Sequence, residues 1–329
     1  MDDIKQSPTI AAATDDAVIA KATNVKEIRD VLSIKNEAID DPVHYTNWRA
    51  LVGFIPEQQA LQYIQSEAIK TDAGKQYWLS RIKKANDVVR NISNRANMSP
   101  EIRELDRRFE SRLEKLKSEP LFAEYLIGQT SHRFALVELA KLHCFQQHLN
   151  TEFVDSLVDQ APSPDDLDAT VKFCLPLKDE KSKTPVLKAF NSNSNTYAYI
   201  SDNLDMRILG TAEGEDTATG RKFAGFQYGF GLPALSVVNY KGLYLLKNGY
   251  HRAFALYKKG HKFAPCLLVS IESYEHTGAQ RPGFFPIDLI MSDKSPILSD
   301  FDTDAALLVP RRRMKMMITM HAEAVVVPV

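Results

Sequence analysis

Cysteine is rare in this sequence. The three that occur, Cys144, Cys174 and Cys266, lie far apart and form no C-x-x-C pair. This pattern excludes a disulfide framework and a zinc cluster, and it is typical of a reducing cytoplasm. Long apolar runs are also missing, because no segment approaches the roughly 18 apolar residues of a membrane helix. The first residues lack the basic leader and apolar core of a signal peptide. We therefore expect a soluble, cytoplasmic protein without a metal site.

Neither sign of charge is in excess. Lysine and arginine total 41 residues against 42 aspartates and glutamates, which gives a formal net charge of −1. A chain this close to neutral is not a polycation built for nucleic acid, so nucleic acid is not an expected partner. A nucleic-acid-acting factor, such as a nuclease-like protein, is therefore only the third candidate function, and it would need a continuous basic groove.

Glycine is scarce in the first half of the chain. Only three of the fourteen glycines precede residue 150, whereas eleven lie at or after residue 210. This contrast predicts two domains of different architecture. We predict a flexible tail over 1–24, a helical domain over 25–160 and an α/β domain over 161–329. The proline-, serine- and acid-rich stretch at 161–166 marks the boundary.

The first domain is expected to be an amino-terminal helical bundle. Two apolar stripes at helical spacing predict amphipathic helices, and Ser99 supplies an N-cap signal for the second. A third helix over 131–149, apolar on more than one face, would lie at the centre of the bundle. A protein partner would dock on these stripes. The stripes are Trp78, Ile82, Ala85, Val89 and Ile92, then Ile102, Leu105, Phe109, Leu113 and Leu116.

Beyond the boundary, short segments rich in β-branched and aromatic residues predict strands. A helix over 250–259, ended by Gly260, predicts a β-α-β unit with a right-handed crossover. The fold class is therefore α+β, with a helical bundle followed by an α/β domain that contains a mixed sheet. The predicted strands are 170–175, 196–201, 206–209, 234–238, 243–246, 265–271 and 314–327.

The segment Asn248-Gly249-Tyr250-His251-Arg252 carries the clearest chemical signal. It lies between a strand and a helix, where a glycine lets the backbone approach a ligand and the first helical amides carry partial positive charge. That arrangement suits an anion, and His251 and Arg252 add side-chain donors. Cations are unfavourable at a helix start, and a bound phosphate would supply their partner. The alternative is a turn in which both residues pair with surface acids. Tyr250 is expected to pack.

This segment resembles the G-x-H-R element of the ParB/sulfiredoxin superfamily. The likeness covers about 40 residues, from 232 to 270, and includes the preceding strand, an alanine-rich helix and a proline-led strand. The resemblance implies a ParB/sulfiredoxin-like fold for the carboxy-terminal half. It also implies that Gly249, His251 and Arg252 bind nucleotide phosphates, to which we add Asn248 of the same turn. The implied cofactor is ATP or another nucleoside triphosphate, with or without Mg²⁺.

Three departures limit what the resemblance implies. Tyr250 stands where sulfiredoxins have a cysteine, so thiol-based sulfinic reduction is not expected. Fewer than sixty residues follow Ser270, and they are strand-like, whereas ParB partition proteins continue into a helix-turn-helix. Asn248 occupies a position where relatives often have aspartate, so a catalytic acid would come from elsewhere. The acids nearest in sequence are Asp202, Asp205, Glu213 and Glu215.

Two further segments each allow two interpretations. The stretch 210–231 holds six glycines in 22 residues, and it is either a mobile lid over a nucleotide or a disordered hairpin loop. The cluster of Arg311, Arg312, Arg313 and Lys315 either grips a phosphate or acidic partner, or protects a sheet edge.

The leading functional hypothesis is an intracellular nucleotide-binding protein that acts as an ATP-dependent phosphotransferase or NTPase. The alternative is a non-catalytic, nucleotide-sensing or partner-docking protein with a ParB-like fold. An enzyme needs a carboxylate and a metal beside the phosphate turn, and a docking module needs a large exposed apolar patch. The sequence leaves open whether the protein is catalytic, what its substrate is and how it oligomerises.

Overall fold

A computed structural model of the chain describes residues 45–65, 72–127, 129–178, 185–280, 283–323 and 325–327. The tail predicted over 1–24 lies outside these residues. The described chain divides into two compact units. The larger unit is built from 45–178 and 229–313, and the smaller unit from 185–228 and 314–327. The larger unit contains both helices and strands, whereas the described residues of the smaller unit form strands only. Together the described residues form four sheets.

The described chain contains fourteen strands and eight α-helices. The strands are β1 (Tyr45–Ala50), β2 (Ile102–Glu104), β3 (Ser131–Glu138), β4 (His143–Cys144), β5 (His148–Asn150), β6 (Leu187–Asn191), β7 (Thr196–Ser201), β8 (Arg207–Asp216), β9 (Arg221–Gly229), β10 (Ser236–Tyr240), β11 (Leu243–Asn248), β12 (Phe263–Ile271), β13 (Leu307–Arg312) and β14 (Met316–His321). The helices are α1 (Glu57–Gln65), α2 (Asp72–Arg90), α3 (Glu110–Lys117), α4 (Pro120–Tyr125), α5 (Thr151–Gln160), α6 (Leu167–Cys174), α7 (Tyr250–Lys258) and α8 (Ile287–Ile290). No helix among the described residues has both the length and the apolar character needed to cross a membrane.

A six-stranded mixed sheet forms the centre of the larger unit, in the order β2-β3-β12-β10-β11-β4. The pairs β10–β12 and β4–β11 are parallel, and the other neighbours are antiparallel. Strands β10 and β12 are almost wholly buried, as expected for apolar strands covered on both faces. Because β11 runs antiparallel to β10 while β12 runs parallel to it, β11-α7-β12 is not a parallel β-α-β unit. The predicted right-handed crossover is therefore wrong.

The predicted amino-terminal bundle is also wrong, because this part of the chain contributes strands to the sheets of the larger unit. Helix α2 is confirmed, and Ile82 and Ala85 of its stripe are fully buried core residues rather than a free docking face. The second stripe is divided between β2, a 3-10 turn at Arg107–Phe109 and helix α3. The region 131–149, predicted as a helix, instead forms β3, β4 and β5. Apolar residues on both faces also fit strands of a covered sheet.

The segment 170–175 shows the opposite error. It was predicted as a strand, but its first residues end helix α6. Asp166 is the N-cap, and its Oδ1 accepts the Ala169 N–H at 2.9 Å. A capped first turn stabilises a helix enough to override the β-branched residues that follow.

A three-stranded antiparallel sheet, β13-β1-β5, lies in the same unit. Alternation along each strand places Trp48 of β1, His148 of β5 and Arg311 of β13 on one face. Trp48 is directly opposite Asn150, and the Asn150 N–H is bonded to His251 at the start of α7. This face of the sheet is therefore connected to the segment that carries the predicted site.

A buried ion pair joins distant parts of the larger unit. Arg95 Nη1 and Nη2 donate to Asp300 Oδ2 and Oδ1 at 2.6 and 2.8 Å, and both side chains are almost fully buried. Arg95 Nη1 also donates to the Ser295 carbonyl at 3.0 Å, and Asp300 Oδ2 accepts the Ile297 N–H at 2.8 Å. The bidentate geometry and the extra hydrogen bonds offset the cost of burying two charges.

The smaller unit contains an antiparallel sheet, β14-β7-β6, and a separate hairpin of β8 and β9. Its core is small and is built around Ala198 and Ile200, with Ala189 and Met317 packed against them. The glycine-rich segment forms most of the hairpin, and its turn is closed by hydrogen bonds to the Asp216 carboxylate from Ala218 N–H and Thr219 Oγ1. The hairpin of the second interpretation is therefore confirmed, and its two arms are regular strands.

Candidate functional site

Gly249 makes the turn from β11 into α7. It has φ 88° and ψ 26°, a left-handed conformation that glycine adopts without strain. A Cβ at this position would lie 3.2 Å from Leu235 Cα and 3.4 Å from Leu235 Cβ. Both the backbone conformation and the close approach of the Leu235 backbone therefore favour glycine. The close approach is to another segment of the protein, and the predicted approach to a ligand stays a prediction.

Asn248 anchors this turn to the segment that leads into β10. Its Nδ2 donates to the carbonyls of Leu232 and Ala234 at 2.8 and 3.2 Å, and its Oδ1 accepts the Gly249 N–H at 2.9 Å. The side-chain amide is thus engaged at both ends. We assign Asn248 the role of holding the shape of the turn.

Tyr250 packs, as the sequence predicted. Only 4% of the residue is exposed, and its ring meets the Phe145 ring edge-on with centroids 5.7 Å apart. Its hydroxyl accepts the backbone N–H groups of Phe145 and Gln146 at 3.1 and 3.4 Å. Burial raises the pKa of Tyr250 well above its usual value, so the hydroxyl stays protonated. The residue connects α7 to the chain between β4 and β5.

His251 connects α7 to the start of α5. Its Nε2 accepts the Asn150 N–H at 3.1 Å, so the proton of the neutral ring lies on Nδ1. Asn150 also caps α5, because its Oδ1 accepts the Phe153 N–H at 3.2 Å. Burial lowers the pKa of His251 to about 4, and the ring is therefore neutral at pH 7. At that pH, His251 offers a ligand a neutral Nδ1–H rather than a positive charge.

Among the described residues, the polar partners of Arg252 are backbone carbonyls. Its Nη1 donates to the carbonyl oxygens of Pro233 and, at 3.4 Å, Cys174, and the guanidinium lies 5.5 Å from the Phe173 ring centroid. Within the described part of the chain, no carboxylate pairs with Arg252, so the alternative of a pairing with surface acids is not found there. A positive charge is held in place without a counter-charge.

The remaining edge of the guanidinium has no acceptor. Arg252 Nε is shielded from solvent and has no hydrogen-bond partner among the described residues. Arg252 Nη2 is not shielded, and it too makes no hydrogen bond to any described residue. Nε–H and Nη2–H point in the same direction and together form the edge that binds two oxygens of a carboxylate or phosphate. Burial lowers the pKa of Arg252, but an arginine remains charged at neutral pH.

Helix α7 contributes its amino-terminal dipole to the same turn. The first N–H groups of a helix have no intrahelical acceptor, and no side chain among the described residues caps α7. Gly249 at the N-cap supplies no capping side chain, and Arg252 lies in the first turn of the helix. An open helix start together with an unfilled guanidinium edge is suited to an anion.

The acids that were the nearest catalytic candidates lie in the smaller unit, whereas the turn lies in the larger unit. Asp202 pairs there with Lys315 at 3.2 Å, and Asp205, Glu213 and Glu215 lie on or beside the start and end of β8. Among the described residues, no group of three histidine, cysteine or acidic side chains is arranged to hold a metal ion. What the turn itself offers is positive potential and hydrogen-bond donors.

Sequence reasoning missed the groups that orient Arg252. They are the carbonyls of Pro233 and Cys174, which come from residues 19 and 78 positions away in the chain. A backbone carbonyl carries no residue-type signal, so no motif could have identified them. The aromatic residue beneath the guanidinium, Phe173, lies in the segment that was predicted as a strand.

The chain matches no protein-family model, no curated protein and no solved structure.

Proposed function

We propose that this protein binds the phosphate groups of a nucleotide, in the first place a nucleoside triphosphate such as ATP, at the turn from Gly249 to Arg252. One observation carries the proposal. Arg252 is held by two carbonyls and an aromatic ring so that its Nε–Nη2 edge is left without an acceptor, beside the open start of α7.

The energetics favour a bound anion. A shielded donor without a partner costs about 1–3 kcal/mol, and a phosphate oxygen would remove that cost at Arg252 Nε. A bidentate, charge-assisted pair adds further stabilisation, because both hydrogen bonds involve charged groups. His251 Nδ1–H and the first amides of α7 supply additional donors. A phosphate chain has enough oxygens to use several of these groups together.

The resemblance to the ParB/sulfiredoxin superfamily supports the same ligand. In that superfamily the corresponding histidine and arginine bind nucleotide phosphates, and His251 and Arg252 stand at the matching positions. Phosphotransfer or triphosphate hydrolysis is the reaction that we propose to test, with Mg²⁺ supplied in solution. Nucleotide sensing without turnover uses the same site, and formation of ADP separates turnover from sensing.

The first experiment measures nucleotide binding by isothermal titration calorimetry with ATP, ADP and CTP, with and without Mg²⁺. The test variant is Arg252→Gln. The matched control is Lys259→Gln, which removes one positive charge just beyond the other end of α7, where Lys259 Nζ reaches the Val158 carbonyl at 3.4 Å. We expect the native protein and the control to bind and Arg252→Gln to lose at least tenfold in affinity, or about 1.4 kcal/mol.

A native protein that is folded but binds none of these nucleotides would refute the proposal. Equal weakening by both substitutions would also refute it, because a general charge effect would then account for the binding. Once binding is established, release of inorganic phosphate from ATP in the presence of Mg²⁺ tests for hydrolysis. An NTPase releases phosphate at a rate that Arg252→Gln lowers, a phosphotransferase forms ADP only when a phosphoryl acceptor is added, and a sensor forms no ADP under either condition.

A further inference from the structure

A second group of polar side chains with unfilled hydrogen-bonding capacity lies on the face of the β13-β1-β5 sheet. The rings of Trp48 and His148 have centroids 4.2 Å apart, and the Tyr63 ring from α1 lies 6.0 Å from His148. The Arg311 guanidinium is 4.5 Å from the Tyr63 ring centroid and 5.7 Å from that of Trp48. We call these four residues the ring cluster.

Three polar atoms of the ring cluster are shielded and have no hydrogen-bond partner among the residues that the structure describes. They are Trp48 Nε1, Tyr63 Oη and His148 Nδ1. Native proteins leave few buried polar atoms unsatisfied, and each such atom costs about 1–3 kcal/mol. The Trp48 and Tyr63 rings both lie against the His148 ring. Three unsatisfied polar atoms in one such cluster indicate a missing partner that is common to all three.

The charge of the ring cluster indicates what that partner is. Arg311 Nη1 donates to the Tyr63 carbonyl at 2.9 Å, and within the described residues no carboxylate forms an ion pair with Arg311. Trp48 Nε1 can only donate, the tyrosine hydroxyl can donate, and a guanidinium can only donate. A set rich in donors around one positive charge fits the oxygens of an anion.

His148 fits this environment as a neutral ring. Burial, the positive charge of Arg311 and the neighbouring His251 lower its pKa to about 3. A neutral histidine beside an arginine adds a polar contact without adding a second positive charge. Tyr63, His148 and Arg311 are each partly exposed, so the ring cluster lies close to the surface.

We propose that the ring cluster binds a carboxylate or phosphate group through Arg311, Trp48 Nε1 and Tyr63 Oη. This subsite is separate from the phosphate turn, because the residues that hold its anion belong to β13, β1 and α1 rather than to α7. Arg313, two residues further along the chain, differs from Arg311 in having a carboxylate partner, because its Nη2 lies 2.6 Å from Glu152.

The tryptophan content makes a direct test feasible. The chain has two tryptophans, Trp48 and Trp78, so their indole N–H groups give two signals in a nitrogen–proton correlation spectrum. Trp78 lies on α2, outside the ring cluster, and serves as the internal reference. A Trp78→Phe variant assigns the signals. The probes are sodium phosphate and sodium acetate, titrated at constant ionic strength against sodium chloride.

We expect phosphate, acetate or both to shift the Trp48 indole signal in a saturable manner, with a dissociation constant on the order of 1 mM. The Trp78 signal should not follow. Saturation by phosphate alone identifies a tetrahedral anion, and saturation by acetate alone identifies a planar one. No saturable shift with either probe, or the same shift with chloride, overturns the proposal.

Variants separate this subsite from the phosphate turn. Arg311→Gln should abolish saturation, and Tyr63→Phe, which removes only a hydroxyl, should weaken binding several-fold. Arg312→Gln, one residue further along β13 with the same charge change, should retain it. Arg252→Gln should also retain it. Loss of saturation in Arg252→Gln would overturn the proposal, because the anion would then belong to the turn, whereas failure of nucleotide binding alone would leave the Trp48 result standing.

Discussion

Replacing Gly249 with alanine tests whether the turn before α7 needs glycine for two separate reasons. The first reason is the left-handed backbone at φ 88°, and the second is the approach of the Leu235 backbone to within 3.2 Å of a new Cβ. Gly260, just after the other end of α7, provides a matched control. Its φ is 94°, but a Cβ there would have no atom within 4 Å.

The two substitutions should therefore differ in cost. A left-handed conformation costs a residue with a Cβ about 1–2 kcal/mol, and both variants share this cost. Gly249→Ala must also displace the Leu235 backbone or the turn, and such overpacking typically costs about 1–3 kcal/mol more. We expect Gly260→Ala to lower the free energy of unfolding by about 1–2 kcal/mol and Gly249→Ala to lower it by about 2–5 kcal/mol.

Urea unfolding followed by tryptophan fluorescence measures this difference. Both tryptophans belong to the larger unit, so their emission reports the unfolding of the unit that contains both glycines. The comparison is valid if the urea dependence of the unfolding free energy is unchanged among the three proteins. Equal losses in the two variants would refute the reasoning, because the contact with Leu235 would then carry no cost.

Three further predictions concern side chains of the larger unit. Tyr250→Phe should lower the unfolding free energy by about 1–3 kcal/mol, because the N–H groups of Phe145 and Gln146 lose their acceptor, and urea unfolding measures this. Arg95→Met should cost about 3–5 kcal/mol by leaving the buried Asp300 carboxylate unpaired. In the double variant Arg95→Met/Asp300→Leu, the same unfolding assay should show a smaller loss than in Arg95→Met. His251 has a pKa of about 4 in the folded protein against an ordinary 6.5. The unfolded chain therefore binds more protons between these values. The contribution of His251 to stability should be complete above pH 6.5 and should fall as the pH drops towards 4. Urea midpoints of native protein and His251→Gln between pH 7 and pH 4.5 should converge, and a constant difference would count against a neutral, buried His251.

Local sequence patterns predicted the carboxy-terminal elements because these elements are specified by neighbouring residues. Strands β7, β10, β11 and β12 and helix α7 have the expected alternation, turn glycines and helical spacing within short windows. The predictions of a helix over 131–149 and of a strand over 170–175 were wrong, because apolar residues on several faces fit a covered strand as well as a buried helix. An Asp166 cap decided the second case.

In the candidate site, too, the sequence predicted only the features that neighbouring residues specify. The sequence indicated Gly249 through its position between a strand and a helix, and it indicated Arg252 through its place in the first turn. It could not indicate that Arg252 would be held by carbonyls from distant segments, or that Trp48, Tyr63 and Arg311 would meet on one sheet face. The Arg252 contacts join residues 19 and 78 positions apart. The contact of Arg311 with Trp48 depends on the pairing of β1 with β13, which joins residues more than 240 positions apart, such as Thr46 with Arg311.

The pairing of β1 with β13 has a consequence for how the protein can be made and divided. Tyr45 lies opposite Arg312. The middle strand of this sheet, β1, is therefore near one end of the described chain, and its edge strand β13 is near the other end. During synthesis this sheet cannot close until residue 312 has left the ribosome, and β1 must wait for a partner that is made much later. A fragment limited to residues 232–270 would lack β3, the antiparallel neighbour of β12. Expression of this unit should therefore use fragments that begin before β1 and end after β13.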